Sequence, residues 1–208
     1  MSRARRLVVA LAALAAAGCA AADPRPVYHT STSASDGMPT LVVGVARDPD
    51  NEYTVRVLAN ELAFALAQRG RAAIALPAFV QEARLRGVEV PAAVLARLAG
   101  GVVDAEILAW LASERVGALV FLEAPIYDQV WAGSGKRTRV GLTARGHRPG
   151  GGEETWRAYT TPEVEDEPGQ GFQIATEAAL AALVRVINGE PEPPALPSSV
   201  LPRIKVRW

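Results

Sequence analysis

Thr40-LVVGVA-Arg47 is the stretch that decides the fold. It is a continuous apolar run of strand length with no polar alternation, the pattern of a central strand covered on both faces. Asp48-PD-Asn51 supplies turn and N-cap chemistry directly after it. A helix is predicted from Glu52 to Arg69, because Val55, Leu58, Ala59, Leu62, Ala63 and Leu66 recur at three- and four-residue spacing and form one apolar stripe. Gly70 suits the position just past its end. Ala72-AIALP then reads as a second short strand, which makes a strand–helix–strand unit able to pack a helix on a sheet.

Downstream, Ala78 to Arg86 reads as a short helix and Pro91 opens another over Ala92 to Leu98. Asp104 is a predicted cap for a helix whose buried face is Ile107, Leu108, Leu111 and Val116, closed by Gly117. Ala118 to Ala132 is a long strand, with Pro125 marking a bend, a bulge or an edge. Thr138 to Arg145 alternates, with Val140, Leu142 and Ala144 on one face. Glu153 to Thr161 alternates too, with Trp156, Ala158 and Thr160 together. Phe172 to Asn188 is a final amphipathic helix that Asn188-Gly189 stops. The fold class is therefore α/β: one three-layered domain over residues 40–189, with a mixed sheet of about 5 strands, helices packed on it, and a C-terminal antiparallel meander followed by a helix.

The N-terminus carries a different signal. Arg3, Arg5 and Arg6 precede an apolar run from Leu7 to Gly18, and the chain's one cysteine, Cys19, follows Ala16-AG. A basic segment, a short apolar segment and small residues form a secretion signal. At about 1.5 Å per residue the 12-residue run reaches only about 18 Å, short of the roughly 20 residues that span a bilayer. The segment resembles a bacterial lipoprotein signal, with Ala16 where leucine is usual. The resemblance implies cleavage between Gly18 and Cys19, so that residues 1–18 are a signal peptide, and lipidation of Cys19. Ala20 is not the aspartate that resembles an inner-membrane retention signal, so the expected location is the outer membrane, lipid-anchored and facing the periplasm.

Residues 19–39 are expected to be the lipidated cysteine and a flexible tether, because Ser, Thr, Asp, Gly and Pro dominate and no apolar period is present. About 20 such residues reach at most roughly 65–70 Å. Residues 190–208 begin proline-rich and end in Ile204-KVR-Trp208, an alternation suited to an edge strand. The full chain balances 22 basic against 22 acidic residues; removal of the signal leaves 19 against 22, a mildly acidic protein with no footprint for nucleic acid. With Cys19 lipidated, no thiol remains for a disulfide, a metal or a nucleophile.

No catalytic constellation emerges. Gly133-SG-Lys136 lacks the upstream glycine of a phosphate loop, since Val130 stands there, and it lies between two strands. Asp48, Asp50 and Glu52 begin like a calcium loop, but its sixth and twelfth places hold Tyr53 and Ala59. Glu163, Glu165, Asp166 and Glu167 read as a solvated acidic loop. His147 has no acid or serine at a diagnostic spacing, and His29 falls in the tether. Trp110, Trp131, Trp156 and Tyr159 suit half-buried elements. No metal and no cofactor is expected.

The order of elements resembles that of small envelope lipoproteins sharing the α/β domain of the penicillin-binding-protein activator and the curli secretion channel subunit, a domain similar to the N-terminal domain of TolB. LVVGVARDPDN with its helix, LASERVGALVFLEAPIYD, the strand pair ending in EETWRAY, and the last helix carry the likeness. With no catalytic set found, the expected role is a non-enzymatic, membrane-tethered accessory protein that binds another envelope protein in assembly, transport or wall synthesis. The alternatives are an envelope polysaccharide-binding or hydrolytic module and a pore-forming secretion subunit. A pore sits poorly with Arg137, Arg139, Arg145 and Arg157 on the meander.

Overall fold

The computed structural model describes residues 25–29, 37–132, 135–150, 154–160, 163–165 and 171–190. Gly18, Cys19 and the expected C-terminal strand lie outside them. Strand β1 is Arg25–His29 and β2 is Thr40–Gly44; a 3-10 turn at Pro49–Asn51 leads into helix α1, Glu52–Gln68. Strand β3 (Ala73–Ala75) passes directly into α2 (Leu76–Leu85), then α3 (Ala92–Ala99) and α4 (Ala105–Ser113). Strands β4 (Ala118–Ala132), β5 (Gly135–His147), β6 (Glu154–Thr160) and β7 (Glu163–Glu165) precede α5, Gly171–Asn188.

Strand β2 is central and parallel to both neighbours, pairing Leu41 with Ile74 of β3 and with Leu119 of β4. The sheet order is β1-β6-β5-β4-β2-β3, with β7 pairing β5 beside this path. The strands from β4 through β6 to β1 pair antiparallel. Side chains alternate between two apolar layers. Val42, Val120, Leu122, Val140, Leu142 and Ala144 pack under α1 and α5, together with Trp156 and Ala158. Leu41, Val43, Leu119 and Phe121 pack on the other face under Phe79 of α2, Leu98 of α3 and Leu111 of α4. The expected three-layer α/β domain is the one observed, and the predicted inward positions of β5 and β6 are the buried ones.

Local chemistry explains most boundaries. Asp104 Oδ1 accepts from the Ile107 amide at 2.9 Å and caps α4. Pro125 coincides with a register shift between Glu123 and Ile126, as a residue without an N–H requires. The expected closing role of Gly117 falls instead to Arg115, which takes φ of 59°, while Gly117 donates to the Pro39 carbonyl at 3.0 Å. Two segments expected to be irregular contain strands. Arg25–His29, within the stretch read as a tether, pairs antiparallel with β6. Glu163–Glu165, within the stretch read as an acidic loop, pairs with Arg137–Arg139 of β5. Neither is apolar, so each depends on a partner strand that sequence periodicity does not report.

Helix α1 lies so close to β2 at Gly44 that a Cβ there would sit 2.7 Å from the Val55 carbonyl oxygen. The obstacle is backbone and cannot rotate away. Gly44→Ala is expected to lower stability by about 1–3 kcal/mol, read as a fall in the urea midpoint at unchanged slope; an unchanged midpoint would mean that α1 can retreat freely.

Candidate functional site

The crossover that leaves β2 and the one that leaves β3 cover opposite faces of the sheet. The connection through α1 leads to β3 on one side of β2, and the connection through α2, α3 and α4 leads to β4 on the other. Open α/β sheets bind ligands where such connections diverge, outside the carboxyl ends of the strands. Here that place is a cleft of about 830 Å³. Gly44, Ala46 and Arg47 from the end of β2 line it, with Glu52, Arg56 and Ala59 of α1 facing Leu76, Val80 and Leu95 of α2 and α3.

An ion cluster adjoins the cleft. Glu123 stands on β4 immediately after its last pair with β2, and it is 6% exposed. Arg47 Nε donates to Glu123 Oε2 at 2.7 Å, and Arg145 Nη2 of β5 donates to Oε1 at 3.1 Å. Each carboxylate oxygen thus has its own guanidinium, which offsets the cost of burying the charge. The Arg145 guanidinium also lies 5.3 Å from the centre of the Phe121 ring. The loop between α3 and α4 closes over it at Gly101, where φ is +69° and a Cβ would lie 3.0 Å from Arg145 Nη2. The three charged residues are separated by 76 and 22 positions, so no motif links them.

A second concavity, of about 580 Å³, runs between α1 and α5. Tyr127, on β4 beyond the bulge, stacks on Phe172 with ring centres 4.6 Å apart. Tyr53, Val57 and Glu61 of α1 face Gln173, Thr176 and Glu177 of α5 across it. Thr176 Oγ1 is buried there with no hydrogen-bond partner among the described residues. Tyr53 is 77% and Phe64 66% exposed. Their spacing with Val57 places all three along one side of α1.

The other singled-out residues do not converge. Asp48 Oδ1 accepts from the Asp50 amide at 3.1 Å, so it is a turn cap, and Glu52 pairs with Arg56 at 3.7 Å. Lys136 pairs in register with Trp131 on the β4–β5 ribbon, while Gly133 and Ser134 lie outside the described residues. Glu163 and Glu165 stand in register with Arg139 and Arg137; Asp166 and Glu167 lie outside the described residues. His147 is buried edge-on to Phe121 at 5.7 Å, and His29 lies opposite Trp156 in the β1–β6 pair. Trp110 meets Phe79 edge-on at 5.9 Å, Trp156 is buried, Tyr159 is half-buried and Trp131 is 75% exposed. Among the described residues, no three histidine, cysteine, aspartate or glutamate side chains gather as a metal site.

The Glu123 cluster makes a graded prediction. The Arg47 side chain is 80% exposed and that of Arg145 23%, so solvent screens the first pair far more than the second. Double-mutant cycles of Glu123→Gln with each arginine changed to Gln should give a coupling of about 1–3 kcal/mol for Arg145 and under about 1 kcal/mol for Arg47. The reverse order in urea unfolding would contradict this assignment.

No protein-family model matches the chain, and no curated protein matches it in sequence. Solved structures do match in fold. The PelC dodecamer from Paraburkholderia phytofirmans is 18% identical, with a TM-score of 0.51 over 82% of this chain and 99% of that one. Lipoprotein GNA1162 from Neisseria meningitidis is also 18% identical, with a TM-score of 0.46 over 74% of this chain and 99% of that one. Protein XCC0632 from Xanthomonas campestris is 10% identical, with a TM-score of 0.40 over 79% and 89%. The α/β domain described above is thus similar in fold to that of PelC.

Proposed function

We propose that this chain is a non-catalytic accessory lipoprotein of the bacterial envelope, anchored by lipid on Cys19 to the periplasmic face of the outer membrane, and that it works by binding another envelope protein. The observation that carries the binding role is the exposed aromatic side of α1. Tyr53 and Phe64 stand 77% and 66% exposed beside the acid-edged groove of Glu61 and Glu177. An aromatic patch with a polar rim is the composition of a protein interface. The Arg3-to-Cys19 signal supports the anchor. The likeness to the penicillin-binding-protein activator and curli channel group supports assembly, transport or wall synthesis as the setting.

The sheet supports a particular orientation. Only Ala20 to Pro24 separate Cys19 from β1. Counting to Arg25, that distance is at most about 20 Å, so the β1 edge stays near the bilayer. A second reading, in which the partner is another copy of the chain, is favoured by the similar fold having been solved as a dodecamer.

Photocrosslinking residues placed at Tyr53 and Phe64 in the full-length protein, in intact cells, test the binding role. The expected result is a discrete adduct to one envelope protein that Tyr53→Glu with Phe64→Glu abolishes; an adduct between copies supports the second reading. Release of soluble fragments from peptidoglycan by the purified protein would overturn a non-catalytic role. Cys19→Ser should move the protein from membrane to soluble or unprocessed fractions, and unchanged membrane retention would contradict lipidation.

A further inference from the structure

We propose that the cleft at the carboxyl end of β2 binds an anionic amphiphile, a small molecule with one carboxylate or phosphate head on an apolar body. Its walls are apolar and incompletely covered by the protein itself. Leu76, Val80, Leu95 and Ala46 are each only half-buried, and Ala59 is buried at the base. A cleft of about 830 Å³ lies within the range of small-molecule sites. A scattered exposed leucine needs no explanation, but a contiguous apolar hollow does.

The mouth is charged, and its sign is unbalanced. Arg47, Glu52 and Arg56 are the charged residues that line it. Arg56 is paired with Glu52 at 3.7 Å, an exposed contact worth little and easily exchanged for a ligand head. Arg47 commits its Nε to Glu123, whose second oxygen is already taken by Arg145. Two arginines thus share one buried carboxylate, leaving a positive charge that one anionic head would balance. The arginine fork suits the oxygens of a carboxylate or phosphate.

The helix that forms the far wall adds to this. The N-cap of α2 is Ala75, with no side-chain acceptor for the first-turn amides. Leu76 and Pro77 of its first turn line the cleft with Arg47 and Arg56, so the positive end of α2 opens there, although Pro77 itself offers no amide. Apolar walls accept the body, the charged mouth accepts the head, and both lie at the one point of the sheet where crossovers diverge.

Calorimetric titration of full-length protein carrying Cys19→Ser, purified without detergent, tests the site. The probes are dodecanoate and dodecyl phosphate below their micelle concentrations, with dodecyltrimethylammonium and inorganic phosphate as controls. Both anionic probes should bind one to one, and each methylene removed should weaken binding about three- to fourfold. The cationic probe should bind at least about tenfold more weakly, the value of a charge-assisted contact. Inorganic phosphate should show no saturable binding. Arg56→Gln should weaken both anionic probes about tenfold at an unchanged thermal midpoint, because Arg56 stands outside the buried cluster. Val80→Asp should abolish binding of the dodecyl chain. Equal affinity for cationic and anionic probes, or indifference to both substitutions, would overturn the proposal. Tight binding of inorganic phosphate alone would overturn the apolar half of it. A cleft found covered by a second copy of the chain in solution would overturn all of it.

Discussion

The structure depends on burying both faces of β2. Leu41, Val42 and Val43 are each fully excluded from solvent, and successive side chains enter different layers. A strand apolar on both sides is stable only when helices cover both sides. One covering helix must follow the strand directly, and Asp48-PD-Asn51 turns the chain so that α1 does so. The other face must be covered by a separate connection, which α2, α3 and α4 supply before β4 returns beside β2. The divergence of these connections opens the cleft, so the candidate site is a geometric consequence of how the central strand is covered. Gly44 ties the two together, because α1 can cover β2 this closely only where no side chain intervenes.

The same constraint locates the buried charge. Strand β4 outlasts β2: its pairing with β2 stops at Leu122, while its pairing with β5 resumes at Ile126 and continues to Ala132. Glu123 still pairs with Thr143 of β5, but β2 no longer flanks it, and the β4–β5 ladder is interrupted just after it, at Ala124 and Pro125. Glu123 thus stands where β2 has ended beside β4, and guanidinium groups from both sides reach it. Arg47 comes from the loop after β2 and Arg145 from β5. Elsewhere a half-buried arginine is held differently. Arg71 donates to the Ile187 carbonyl at 2.9 Å and to Thr40 Oγ1 at 3.1 Å, and burial lowers its pKa from the ordinary guanidinium value. That contact ties the end of α5 to the start of β2.

Local signals in the sequence were sufficient wherever one element sets its own pattern. The α1 stripe, the inward faces of β5 and β6, the cap at Asp104 and the stops at Gly70 and Gly189 all follow from spacing or from backbone chemistry. What stayed hidden depends on partners remote in the chain. Strand β1 carries proline and histidine in a Ser- and Thr-rich neighbourhood, and only its pairing with β6 makes it a strand. Strand β7 reads as an acidic loop until Arg137 and Arg139 are seen in register with it. The candidate site was hidden for the same reason. Its glutamate and two arginines are far apart in sequence, and its apolar walls come from three helices whose meeting no local pattern reports. Sequence spacing could argue against a calcium loop at Asp48, a phosphate loop at Gly133 and a triad at His147, but it had no means of finding the cleft.

Strand β1 changes what an anchor at Cys19 would do. A free tether of about 20 residues would let the domain sample every orientation to the bilayer. With Arg25–His29 built into the sheet, a lipid on Cys19 would hold one named edge near the surface. The cleft adjoins β2, which is the fourth strand from β1 along the sheet. At about 4.8 Å per strand, that places it roughly 20 Å across the sheet from the anchored edge. Both it and the aromatic side of α1 would then remain open to molecules arriving from the periplasm while the lipid stays in the membrane. The edge that such an anchor would hold and the open cleft follow from one strand order: β1 ends the sheet on the side that antiparallel pairing extends, and the cleft forms on the side where the crossovers are parallel.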